Sequence, residues 1–140
     1  MSEYCDIKTE FRSAEALRAA LAETLAINPL QVEIHAEPQP IKGWYKHQTG
    51  HTAHVIARGY RSDGDTRHNP LVADAGFTRN TNGTYTAQLD ETDWHADRVK
   101  RLRQNYSYHA IRLQQEARGR RVTRTTLPNG LPLVTVEGYR

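Results

Sequence analysis

The chain has 140 residues and a net charge of +3, a length that suits one domain spanning 1–140. Leu, Ile, Val and Phe total 26, near the level at which chains stay unfolded, but so small a net charge argues against disorder. The short apolar runs rule out a membrane-spanning helix, residues 1–20 hold no signal core, and Cys5 is alone, so a soluble cytoplasmic protein is expected.

YCDIKTEF (4–11) alternates, with Cys5, Ile7, Thr9 and Phe11 on one face of a half-buried strand. Cys5 is thereby expected to be a small core residue. Ser13 is placed to cap a helix over SAEALRAALAETL, with Glu15 in its first turn and Leu17, Leu21 and Leu25 along one stripe. Asn28-Pro29 closes it. QVEIHAE (31–37) alternates again, and 37–50, with two Pro and two Gly, is expected to begin as a loop. HTAHVIARGY (51–60) is a strand, and the polar stretch 61–72 a mobile loop.

Residues 73–90 form two short strands around Asn82-Gly83, a pair in which both residues tolerate positive φ. A long helix starts near Thr92 or Asp93. Its stripe is Val99, Leu102, Tyr106, Ala110, Leu113 and Ala117, and Gly119 ends it. A second hairpin turns at Pro128-Asn129-Gly130, with Val134 and Val136 facing the core. No strand–helix–strand series recurs, so the expected class is α+β: an antiparallel sheet of about five to seven strands with two helices on one face and a C-terminal hairpin.

The long helix carries the sharpest functional signal. With Val99 at zero and about 100° per residue, Arg101, Tyr108 and Arg112 fall at about 200°, 180° and 220°, opposite the stripe. Residues 98–124 hold nine basic side chains and one acid, a net of +8, so the remaining chain nets −5. Arginine beside an exposed tyrosine suits an acidic protein surface, or phosphates and unpaired bases. Trp44 and Tyr45, in a loop, are the other candidate anchors, because Trp, Tyr and Arg dominate binding energy at interfaces.

Other clusters read as structural. His109 borders the stripe, where a hydrogen bond is the expected role. His47, His51 and His54 could surround zinc in number, but in an extended chain His51 and His54 point apart. Asp63 and Asp65 flank a glycine without the other positions of a calcium loop. Asp90, Glu91 and Asp93 suit a helix N-terminus. No nucleophile motif or phosphate-binding glycine loop occurs, so no catalytic residue, metal or cofactor is expected.

MSEYCDIKTEF, AEPQPIKGW, ADAGFTRNTNGTYTAQLD and QNYSYHAI, in that order, together resemble the family of hypothetical chloroplast open reading frame thirty-five. That family is a domain of unknown function found in plastids, cyanobacteria, other bacteria and some phages. The resemblance implies no activity, cofactor or catalytic residue. Its bacterial members are often encoded near an AAA-type ATPase, which implies such a complex as partner. The leading expectation is therefore a non-catalytic accessory protein bound to a larger protein through Arg101, Tyr108, Arg112, Trp44 and Tyr45. An RNA or single-stranded DNA binder is the alternative, and a metal-dependent hydrolase is the third.

Overall fold

The computed structural model describes residues 4–44, 48–59 and 70–138. Tyr45, His47, the Asp63–Asp65 pair and most of the 61–72 loop lie outside them. The elements are β1 (Tyr4–Lys8), α1 (Ala14–Leu25), a 3-10 turn (Pro29–Gln31), β2 (Val32–Lys42), β3 (Gln48–Ala57), β4 (Ala75–Arg79) and β5 (Tyr85–Asp90). Then follow α2 (Ala96–Glu116), β6 (Arg121–Thr126) and β7 (Pro132–Glu137). The first five strands form an antiparallel sheet in the order β1-β5-β4-β3-β2, and β6 and β7 pair separately. The class is α+β, as the patterning predicts.

The register lines up Ile7, Ala87, Phe77, Val55 and Ile34 in one row across all five strands. These residues join Leu17, Leu21 and Leu25 of α1 and Leu102 and Tyr106 of α2 in a single core, so both helices cover one face. Ser13 caps α1 by accepting from Ala16 N at 3.1 Å. Ala26, with φ +55, turns the chain out of α1 before Asn28-Pro29 begins the 3-10 turn. Cys5 shares Ile7's parity but is exposed, not a core residue, because it lies on the terminal strand of the sheet, with Sγ 3.9 Å from Glu91.

β2 extends through Pro38 and Pro40, where a loop is expected from composition. It lies at the sheet edge, so a proline that lacks an N–H forfeits no ladder bond on its outer side. Its register shifts between Ile34 and Gln39, and its far half meets the opposite face of the sheet. There Ile41, Ala53 and Ile56 form a second small cluster against Tyr4. Gly76 permits this contact, since a Cβ there would stand 2.8 Å from that of Ala53.

Both hairpin turns contain three-residue loops. Gly83 N donates to Asn80 O and Asn80 N to Thr84 O, while Gly130 N donates to Leu127 O and Leu127 N to Leu131 O. Gly83 and Gly130 have φ near +87 and +84, whereas Asn82 stays at negative φ. This is a type I turn followed by a left-handed glycine, rather than a two-residue turn at Asn82-Gly83.

α2 begins later than Thr92 or Asp93. His95 is its N-cap, accepting from Arg98 N at 3.3 Å. Asp90 instead holds the preceding turn through Thr92 N and Asp93 N, and Asp93 reaches across to Val72 N and Ala73 N. Gly119, at φ +78, turns the chain out of the helix and into β6.

Candidate functional site

α2 has a different environment on each of four sides. Its core side is the predicted stripe: Leu102 and Tyr106 are buried, and Val99, Ala110 and Leu113 pack against the same cluster. Ala117 is exposed at the C-cap. The Tyr106 ring stacks on Phe11 at 4.2 Å, and its hydroxyl accepts from Arg12 N and Ser13 N at 2.8 and 2.9 Å. It therefore holds the start of α1 against α2.

On the α1 side, Asn105 donates to Thr24 at 2.9 Å and His109 lies 2.8 Å from Glu23. Arg112 Nε can only donate, so His109 Nδ1 accepts from it at 3.2 Å and the ring proton sits on Nε2, facing Glu23. Burial pushes the His109 pKa below its ordinary value, against the pull of Glu23. Burial alone would raise Glu23, but hydrogen bonds from Arg124 and His109 outweigh it and lower its pKa.

The third side is covered by β6. Arg124 lies over the Tyr108 ring at 3.9 Å and binds Glu23 at 3.0 Å, while His109 meets the same ring edge-on at 4.8 Å. The strip Arg101, Tyr108, Arg112, expected to be wholly exposed, is thus divided. Tyr108 is half-buried beneath Arg124, and Arg112 is paired with Glu116 at 3.1 Å as well as with His109. Arg101 remains exposed, beside Lys100, in a cleft of about 520 Å³ against the hairpin tip at Asn129–Leu131. Helical periodicity gives an angle around the axis, and it carries no record of a hairpin that folds back along that angle.

The fourth side is open. A groove of about 650 Å³ runs between α2 and the chain that follows β1. Phe11, Tyr106 and Ala110 contribute apolar surface, and Ile111 is 37% exposed beside them. Lys8 and Arg103 line it, and among the described residues neither forms an ion pair. Sequence reasoning missed this site. Ile111, at about 120° from Val99, is an apolar residue off the stripe, and that was its available signal.

Trp44 belongs to a different surface. It follows β2, whose end is held by Tyr4 Oη at 3.1 Å from Lys42 O and 2.7 Å from Asp74 O. The fully buried Asp74 accepts from Lys42 N, Gly59 N and Arg58, at 2.8, 2.8 and 2.9 Å, and Arg58 also grips Glu33. Burial raises the Tyr4 hydroxyl pKa well above its ordinary value, as does the nearby Asp74 charge.

His51 and His54 diverge. His51 Nδ1 lies 3.1 Å from Gln88 Nε2, and His54 Nδ1 accepts from Arg79 N. No group of three potential metal ligands occurs among the described residues, and no described helix is long and apolar enough to cross a membrane. Comparison with protein-family models, with curated proteins and with solved structures finds no match to this chain.

Proposed function

We propose that the protein is a non-catalytic accessory module that docks on a larger protein through the open side of α2. The groove between α2 and the end of β1 carries this reading. It combines an exposed Ile111 and apolar walls with two cations, Lys8 and Arg103, that form no ion pair among the described residues, although Glu10 lines the same groove. A partner that brings an apolar anchor with neighbouring carboxylates fits that chemistry. The resemblance to the chloroplast open reading frame thirty-five family points to an AAA-type ATPase complex as the larger protein. Arg101 would extend the contact. Arg124, lying over Tyr108, weighs against base stacking on that ring and so against the nucleic-acid alternative.

Affinity capture from cells, with and without nuclease, tests the proposal against Ile111→Glu and Arg103→Ala variants whose circular dichroism matches the parent. A protein retained after nuclease and lost with Ile111→Glu supports groove docking. Release by nuclease, with binding that falls steeply with salt, supports the nucleic-acid reading instead. Partners that persist in both variants sink the groove.

A further inference from the structure

We infer that β7 is a dimerisation edge, where a second copy of this chain pairs its own β7 antiparallel to make a four-stranded sheet. The other described sheet margins are blunted. β2 carries Pro38, Pro40 and a register shift, β1 is five residues long with exposed, charged Asp6 and Lys8, and β6 carries Arg121 and Arg124. β7 has no charge before Glu137, whose carboxylate is engaged by Arg121 at 2.7 Å. A straight, uncharged edge pairs with other strands unless something protects it. Leu133 is 45% exposed and Val136 41%, and a lone two-stranded hairpin is marginal in water.

The hydrogen-bond phase of the hairpin selects the occupant. Leu127 N donates to Leu131 O, so by alternation Leu133, Thr135 and Glu137 bond inward to β6. Val134 and Val136 then direct their N–H and C=O groups outward, as does Pro132, which has no N–H. Within β7, the register with the longest overlap free of Pro132 sets Val134 of one copy against Val136 of the other, on both sides of a two-fold axis through Thr135. Each Val pair exchanges two N–H···O bonds. Thr135 faces Thr135, and Glu137 falls opposite Leu133, so no like charges meet. An edge that completes itself about a two-fold fits a second copy of the same chain.

The test uses the full chain with Cys5→Ala. In this register the two Thr135 Cα atoms lie about 4.5 Å apart, as directly opposed non-hydrogen-bonded residues do, which a disulfide can span. The two Leu133 are separated by roughly 13 Å, four residues of strand rise. Sedimentation should show the mass climbing from 16.0 kDa toward twice that value as concentration rises. Oxidation should cross-link Thr135→Cys and leave Leu133→Cys monomeric. Thr135→Lys places two like charges at the axis, and Val134→Pro deletes an outward N–H; each should weaken self-association at least tenfold. Circular dichroism matching the parent shows that the hairpin survives in each variant. A monomer at every concentration up to high micromolar, or equal cross-linking of both cysteines, overturns the dimer.

Discussion

The Tyr106 hydroxyl accepts two main-chain N–H groups at the start of α1, so Tyr106→Phe removes an acceptor and orphans both donors. The expected loss is about 1–3 kcal/mol, the cost of an unmade buried hydrogen bond. An unchanged urea midpoint would show that water replaces the hydroxyl. His109 makes the pH dependence calculable in sign. Its folded pKa lies below the unfolded value, so the unfolded chain binds more protons on acidification. The stability it contributes is complete above the unfolded pKa and is lost as pH falls through the folded one. Glu23 is also lowered, so its contribution is lost in the same direction at more acid pH. Denaturation between neutrality and the mildly acid range should therefore show stability falling with pH, and His109→Gln should flatten the slope. An unaltered slope would place the titration elsewhere.

Leu102 stands where α2 meets the core, 2% exposed, and Leu102→Ala should cost about 2–5 kcal/mol by transfer and cavity terms together. For a domain of ordinary stability this is a large share, and it should appear as a clear drop in denaturation midpoint. The β2–β3 hairpin depends on Asp74, which holds Lys42 N, Gly59 N and Arg58. Asp74→Ala leaves two main-chain donors without that acceptor, at about 1–3 kcal/mol each. The variant should lose at least ~2 kcal/mol, while Asp6→Ala, exposed on β1, should stay within about half a kcal/mol. Equal effects from the two changes would show that the carboxylate is not the hairpin's anchor.

At the scale of the molecule, the five-stranded sheet and both helices share one core, whereas β6–β7 contributes Val122 alone to the buried residues. Val134 is half-buried and Val136 exposed, against the expectation that both face the core. The reason is geometric: the hairpin lies over the outer side of α2, and β6 alone comes close enough to bury a side chain. Regions with little buried apolar contact open at lower free energy than the core. In dilute protein, amides of β6–β7 should therefore exchange before those of β4 and β5. Equal protection would mean that the Arg124 contacts with Tyr108 and Glu23 fasten the hairpin as firmly as the core is packed.

The sequence by itself determined most of the element types, the stripe of α2, the Ser13 cap, the Gly119 stop and the α+β class. Each follows from near neighbours in the chain, through periodicity, local hydrogen bonding or the freedom of glycine at positive φ. Only the tertiary structure decided which side of α2 is open. Arg124 reaches Glu23 across 101 positions and Tyr106 reaches Arg12 across 94. No spacing rule spans such distances, so Tyr108 reads as exposed until β6 is seen to cover it. Ile111 and Phe11 likewise show no common site until the chain after β1 runs beside the helix. A residue's place in its own element is a local property; what covers it is settled by the packing of elements distant in the chain.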